Sequence, residues 1–153
     1  MSALLADVTI REITTEDCDG VCSLINGELG YQDVGERDLA ERIAAMGRDE
    51  NYRAFVAVFR GRVIGFIGTV KQIAFEKKAP VLRVTALAVS SGFQRGGVGG
   101  SLLARAEEYA REEGVAAVAM TSSLTREGAH AFYKSCGYFK KSYGFVKDIG
   151  SEN

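Results

Sequence analysis

Apolar residues recur along the chain at two spacings, one typical of strands and one typical of helices. Alternating apolar and polar residues, or short runs rich in Val, Ile and Phe, predict strands at residues 8–13, 52–59, 62–73, 81–89 and 115–121. Apolar residues three and four apart predict amphipathic helices at residues 14–29, in a segment ending near Gly47, in one stopped by Gly114 and in one ending at Gly137.

The order of these elements predicts the fold class. Arg60-Gly61 joins two strands as a hairpin, the strand at 81–89 completes a meander, and the next helix and strand form a crossover unit with two parallel strands. Residues 138–149 are predicted as a last strand or a bent pair. The sequence therefore predicts an α+β fold with α/β/α layers, a mixed central sheet of six or seven strands, and one domain over residues 1–153.

Composition and charge narrow the class of protein. The 153 residues are 46% apolar and 25% charged with a formal net charge of −1, so no global field attracts nucleic acid or anionic lipid. No apolar run is long enough to span a bilayer, and we expect a cytoplasmic protein. Cys18, Cys22 and Cys136 are odd in number and form no CxxC pair, so they are interpreted as reduced thiols. Cys18 and Cys22 are four apart and could share a helix face, but with a single histidine in the chain no metal is expected.

The most informative segment is the glycine-rich turn between the strand at 81–89 and the following helix. Glycines 96, 97, 99 and 100 stand where unpaired backbone N–H groups and the positive end of a helix dipole point outward, which is typical of a phosphate-binding turn. A nucleotide P-loop is disfavoured because no lysine follows the last glycine. A dinucleotide fingerprint is disfavoured because Leu102 stands where the third glycine is needed.

The turn resembles the acetyl-CoA motif of the GNAT superfamily, [Q/R]-x-x-G-x-[G/A], through Gln94, Gly97 and Gly99. The resemblance extends over residues 8–149 and includes the element order and the segment Ala129-His130-Ala131-Phe132-Tyr133-x-x-x-Gly137-Tyr138. It implies an acetyl-CoA-dependent N-acetyltransferase that transfers acetyl to a primary amine by direct attack in a ternary complex. It also implies a homodimer.

The same resemblance implies a set of site residues. The residues expected to bind acetyl-CoA are Leu87, Ala88, Val89, Gln94, Arg95, Gly96, Gly97, Val98, Gly99, Gly100, Ser101, Arg126 and Phe132. The residues expected to line the acceptor site are Glu28, Tyr31, Asp33 and Tyr143. Arg126, the segment around Phe132-Tyr133 and the closing Tyr143-Gly144-Phe145-x-Lys147 are nearest to the aminoalkylphosphonate and aminoglycoside N-acetyltransferases, which favours a small-molecule amine.

Two catalytic tasks follow from the chemistry. A thiolate leaving group needs a hydrogen-bond donor, and the resemblance places Tyr133 in that role, although its spacing also fits a core tyrosine. An alkylamine must lose its proton before attack, but residues 83–89 lack the glutamate that many relatives carry there. Glu76 is the expected base, with Glu28, Asp33 and a water held by Thr85 left open.

Two other functions remain open. Loss of that glutamate is also compatible with an acyl-CoA sensor or regulatory module that binds without turnover. The alternative acceptor is a protein or peptide amine.

Overall fold

The computed structural model describes residues 3–150, in which five strands form one mixed sheet in the order β1-β2-β3-β4-β5. The strands are β1 (Val8–Glu12), β2 (Tyr52–Phe59), β3 (Arg62–Gln72), β4 (Val81–Val89) and β5 (Ala117–Met120). The α-helices are α1 (Cys18–Gly27), α2 (Glu36–Gly47), α3 (Val98–Glu112) and α4 (Glu127–Ser135). Neighbouring strands are antiparallel except for the parallel pair β4–β5.

The predicted hairpin is confirmed, and the geometry of its turn accounts for the glycine at position 61. Arg60 has φ +50° and Gly61 has φ +79°, so both central residues of the two-residue turn are left-handed. This is the type I′ geometry, whose twist matches that of the two strands.

Helices cover both faces of this sheet. Side chains of α1 and α2 pack on one face with Val56, Phe66 and Ala88. On the other face, Tyr109 of α3 meets Phe55 with ring centroids 6.3 Å apart. Phe55 and Val56 are consecutive, so they point to opposite faces as the period of a strand requires.

Two of the cysteines serve this packing. Both lie buried on α1, where the Cys18 thiol donates to the Glu36 carbonyl at 3.0 Å and the Cys22 thiol to the Val34 carbonyl at 3.1 Å. Their contacts tie α1 to the chain leading into α2. No group of residues suited to a metal ion occurs in the described part of the chain.

The sheet changes character halfway along β4. The parallel ladder to β5 ends where Val84 pairs with Met120, whereas the ladder to β3 continues to Val89. The β3 register shifts between Gly68 and Thr69, which leaves Thr85 as an extra residue on β4. Such a bulge bends its strand, so β4 leaves β5 while staying on β3.

The prediction of six or seven strands is wrong, because residues 3–150 form five and residues 138–149 carry no strand. The apolar residues of that segment do not share one face: the adjacent Phe145 and Val146 are 93% and 92% exposed. A strand is stabilised by burying one face and pairing an edge, and the segment does neither.

The described residues fall into two compact units, one ending at Met120 and the other beginning at Thr121. The single domain over residues 1–153 stays a prediction. No helix among residues 3–150 is both long and apolar enough to cross a bilayer.

An ion pair between the partly exposed Arg11 and the buried Asp17 joins β1 to the start of α1. The Asp17 carboxylate, 5% exposed, accepts two hydrogen bonds from the Arg11 guanidinium at 2.8 and 2.9 Å and one from the Thr14 amide at 2.8 Å. The bonds from Arg11 hold the pKa of Asp17 below its ordinary value. The carboxylate is therefore charged at neutral pH.

We expect Asp17→Asn to lower the free energy of unfolding by about 2 kcal/mol at neutral pH, because charge-assisted bonds to a buried group are lost. A lowered folded-state pKa stabilises above the unfolded pKa of about 3.9 and loses this effect as the pH falls. The difference from wild type should therefore shrink in acid. Urea unfolding at neutral pH and near pH 3 tests this.

The matched control is Glu12→Gln, which removes an exposed carboxylate 3.3 Å from Arg53. It should change the free energy of unfolding by less than about 1 kcal/mol. An equal loss for Asp17→Asn at both pH values would contradict the assigned role of the charge.

Candidate functional site

The glycine turn joins the end of β4 to the start of α3. Gly97 caps the helix with φ +90°, and the first helical hydrogen bond runs from the Ser101 amide to the Gly97 carbonyl at 3.0 Å. The amides of residues 98–100 therefore precede any intrahelical bond in the described structure. They form, with the positive end of the α3 dipole, a site suited to an anion.

The glycines of the turn are required for different reasons. A Cβ on Gly97 would lie 2.8 Å from Leu5 Cδ1, and one on Gly96 would lie 3.1 Å from Leu4 Cδ2. Both positions are filled by the 3-10 helix Ala3–Asp7. A Cβ on Gly100 would meet no described atom within 4 Å, and its backbone is helical. Packing therefore explains Gly96 and Gly97 but not Gly100.

Arg95 and Gln94 play different parts in the turn. Arg95 has φ +66°, unusual for a residue with a side chain, and is exposed. Gln94 Nε2 donates to the Val89 carbonyl at 2.9 Å and to Glu28 Oε1 at 3.3 Å. The Ser91 amide donates to Glu28 Oε2 at 2.9 Å. The Gln94 amide nitrogen is thus engaged with the scaffold, whereas the Arg95 side chain is exposed.

The edge of β4 that leads into this turn carries backbone groups that no neighbouring strand pairs. The Ser90 amide donates to the Ile64 carbonyl of β3 at 2.8 Å. Groups alternate along an antiparallel pair, so those of Ala88 also face β3, and those of Leu87 and Val89 face the opposite edge. The β5 ladder does not extend to them. An extended ligand with amide groups could pair there as a strand does.

A cleft of about 430 Å³ adjoins the turn through Ser90 and Glu28. Its walls are the start of α1, the beginning of β3 and the Arg11–Asp17 pair. Charged groups of both signs line it, with an excess of carboxylates from Glu16, Asp17, Asp19 and Glu28 over Arg11 and Arg62. A positively charged group is the ligand that this lining favours.

The other acceptor-site candidates in this unit are dispersed. Glu76 is exposed on the loop before β4, whereas the glycine turn follows β4. The nine residues of β4, a strand about 30 Å long, lie between the Glu76 loop and the glycine turn. Tyr31 and Asp33 are exposed between α1 and α2. Of the predicted carboxylates, only Glu28 reaches the glycine turn.

The unit beginning at Thr121 holds the predicted catalytic tyrosine on α4. Tyr133 is half-buried, with ring centroids 5.5 Å from Phe132 and 6.5 Å from Tyr138. Burial raises the pKa of Tyr133 above its ordinary value, and the charge of Arg126 opposes this. The hydroxyl therefore stays protonated at neutral pH and can donate a hydrogen bond.

The remaining predicted residues of this unit lie at its surface or at the helix start. Arg126 is the N-cap of α4 and its carbonyl accepts from the His130 amide at 3.1 Å. His130 Nε2 lies 2.8 Å from the Ser123 carbonyl, which fixes the loop before α4. Tyr143 is exposed.

Comparison with known proteins decides the family. The model of the acetyltransferase (GNAT) family matches residues 19–138. This chain belongs to the GNAT acetyltransferase family. The family predicted from the glycine turn and the element order is thereby confirmed, and with it an α+β GNAT fold.

Among its relatives is the aminoalkylphosphonate N-acetyltransferase of Salmonella typhimurium, 31% identical over 144 residues, which span 92% of this chain and 90% of that protein. A GNAT family acetyltransferase from Staphylococcus aureus superposes with TM-score 0.79 at 25% identity, over 94% of this chain and 99% of that chain. An aminoglycoside N-acetyltransferase in complex with CoA has TM-score 0.81 at 14% identity, over 93% and 94%, which shows the fold alone.

Some contacts of the site were missed by sequence analysis. Ser91 was not predicted, and Glu28 was expected in the acceptor site rather than against the glycine turn. The leucines over Gly96 and Gly97 were not predicted either. These partners are 63 or more residues apart in sequence, so no local pattern indicates them.

The different requirements of Gly97 and Gly100 predict opposite effects of alanine. Gly100→Ala should raise the free energy of unfolding by about 0.5–1 kcal/mol, because alanine favours the helix and its Cβ meets open space. Gly97→Ala should lower it by more than about 1 kcal/mol through its left-handed φ and the contact with Leu5. Thermal unfolding of the ligand-free variants measures both, and equal effects would contradict this assignment.

Proposed function

We propose that this protein is an N-acetyltransferase that moves an acetyl group from acetyl-CoA to a primary amine of a small molecule, by direct attack in a ternary complex. The observation that carries the proposal is the continuity of two backbone surfaces. The open edge of β4 at Leu87 and Val89 runs directly into the free amides at the start of α3.

The residues of this unit fit the donor. The amides of residues 98–100 and the side chain of Arg95 would hold the pyrophosphate, and the open space at Gly100 leaves room for it. The amide and carbonyl of Leu87 and the amide of Val89, which face away from β3, would pair with the pantetheine amides, since the Val89 carbonyl accepts from Gln94. The CoA complex of the aminoglycoside N-acetyltransferase supports the same choice of donor.

Acetyl-CoA supplies a thioester, whose carbonyl carbon is attacked by the neutral amine nitrogen. The C–S bond then breaks, and the proton that the nitrogen gives up balances the one that converts the departing thiolate to the thiol. The amine must first lose a proton, at a cost of about 4 kcal/mol at neutral pH for an alkylamine. The proposal keeps Glu76, directly or through water, as the base. Tyr133 donates a hydrogen bond to the departing sulfur, a role supported by its protonated state. From the resemblance to the family, Arg126 and Phe132 are also proposed to contact acetyl-CoA.

A small amine is the proposed acceptor, since the relative at 31% identity is an aminoalkylphosphonate N-acetyltransferase. The carboxylates of the cleft beside Ser90 suit an ammonium group, and Arg62 on the same lining suits an anion. Tyr31, Asp33 and Tyr143 are proposed to contact the acceptor. A cytoplasmic homodimer belongs to the same proposal, and light scattering after gel filtration tests its mass.

Purified protein should release CoA when acetyl-CoA is supplied with an amine of the right class. A panel of aminoalkylphosphonates, aminoglycosides, polyamines and peptide N-termini, followed by mass spectrometry of the product, identifies the acceptor. Binding of acetyl-CoA without turnover on any of these would favour the sensor instead. Absence of binding would contradict the donor site itself.

Tyr133→Phe should lower kcat about 10- to 100-fold with little change in the Kd of acetyl-CoA, because the hydroxyl acts on the departing sulfur. Its raised pKa means that it does not titrate between about pH 6 and 9, so the shape of the pH profile should not change. Tyr52→Phe, on the partly exposed start of β2, is the control. Unchanged kcat would contradict the role of Tyr133.

Gly100→Ala separates a ligand-binding glycine from a structural one. If phosphate oxygens approach the backbone at residue 100, the added methyl group should weaken acetyl-CoA binding about 10-fold although it stabilises the free protein. Calorimetric titration and thermal unfolding of the same variant measure the two effects. Stabilisation without loss of affinity would place the phosphates elsewhere.

A further inference from the structure

Glu28 forms the link between the end of α1 and the glycine turn. It is the C-cap residue of α1, where its amide donates to the Leu24 carbonyl at 2.8 Å. A carboxylate at the C-terminal end of a helix faces the negative end of the dipole, an unfavourable place for it. Two donors of the turn, the Ser91 amide and Gln94 Nε2, compensate by binding its two oxygens.

Glu28 also fixes the side chain of Gln94. Both hydrogens of the Gln94 amide nitrogen have acceptors, the Val89 carbonyl at 2.9 Å and Glu28 Oε1 at 3.3 Å. Since a carbonyl and a carboxylate only accept, the side-chain amide of Gln94 has one orientation that satisfies both. The Val89 carbonyl is thereby occupied, and its amide remains for a ligand.

On its other side, Glu28 leads into the loop that holds two predicted acceptor residues, Tyr31 and Asp33. The far end of that loop is held by Asn26, whose side chain donates to the Val34 carbonyl at 3.0 Å and accepts from the Val34 amide at 3.3 Å. Asn26 and Glu28 are two residues apart on α1. The loop at residues 29–34 is therefore anchored at both ends, and a displacement of the glycine turn would reach it through Glu28.

We propose that Glu28 is a positioning residue that orders the acetyl-CoA-binding turn and couples binding of the donor to the order of the loop at residues 29–34. The inference rests on the proposed function, because it takes the glycine turn as the donor site. It assigns no proton transfer to Glu28.

Charge repulsion and positioning predict opposite changes in acetyl-CoA affinity when the Glu28 carboxylate is removed. A carboxylate beside a phosphate-binding turn repels the phosphates, so its removal should tighten acetyl-CoA binding if charge dominates. If positioning dominates, its removal frees Gln94 and the Ser91 amide and weakens binding. A general base at residue 28 would instead affect turnover and leave donor affinity unchanged.

The first experiment is a double-mutant cycle on the Kd of CoA measured by calorimetry. Glu28→Ala and Gln94→Ala should each raise Kd about 10-fold, and the double variant should exceed either by less than about threefold, since both remove the same contact. Glu28→Gln keeps an acceptor for Ser91 but turns an NH₂ group toward Gln94, so its Kd should be intermediate. Glu41→Ala, exposed on α2, is the matched control.

The second experiment is hydrogen exchange with and without CoA. In the wild type, CoA should slow exchange at the glycine turn and at residues 29–34; in Glu28→Ala at saturating CoA, only the turn should remain protected. The KM for acetyl-CoA should rise in Glu28→Ala more than kcat falls, and Glu28→Gln should restore part of it. Thermal unfolding verifies that the variants are folded.

The outcomes separate the two proposals. If the wild type fails to bind CoA, the proposed function is contradicted. If CoA binds but Glu28→Ala binds it equally or more tightly, the positioning role is contradicted while the proposed function stands. Loss of kcat in both Glu28→Ala and Glu28→Gln at unchanged Kd would make Glu28 a base and overturn the inference.

Discussion

The bend in β4 creates the open strand edge that leads to the glycine turn. The strand pairs with β3 as far as Val89 but with β5 only as far as Val84, and the extra residue at Thr85 allows both. A bulge bends its strand, so the ladder to β5 ends while the core beneath stays closed. A ladder that continued to Val89 would occupy the backbone groups that now form an open polar edge.

The position of α3 depends on the neighbouring strand β3. Gly65 of β3 leaves room for Leu102 of α3, since a Cβ there would lie 3.1 Å from the leucine Cδ1. Leu5 packs over Gly97, and Glu28 holds the segment that leads into the turn. The start of α3 is thus held by contacts from three directions. Donors fixed in this way need little reorganisation when a charged ligand arrives.

Local patterns predicted the elements with local causes. The bounds of β2 and β4 were predicted as observed, and Arg60-Gly61 formed the expected turn, because alternation and left-handed φ are properties of neighbouring residues. The strand predicted at residues 138–149 is absent, because a local apolar pattern does not show whether a strand finds a partner edge. The bulge at Thr85 and the bonds of Glu28 to Ser91 and Gln94 depend on residues distant in sequence.

The two halves of the proposed site differ in how they are built, and only the donor half constrains its own local sequence. A site made of backbone amides constrains its own sequence, because close approach and unusual φ require glycine. A site made of side chains leaves no such trace. Glu28 at the end of α1, and Tyr31 and Asp33 in the following loop, are ordinary polar residues whose position relative to a site comes only from the fold. Glu28 combines the two cases. Its place at the end of α1 is set by neighbouring residues, but its hydrogen bonds come from donors 63 and 66 residues further along the chain. In the proposed acceptor site, specificity for the amine would therefore depend on contacts that the sequence does not encode locally.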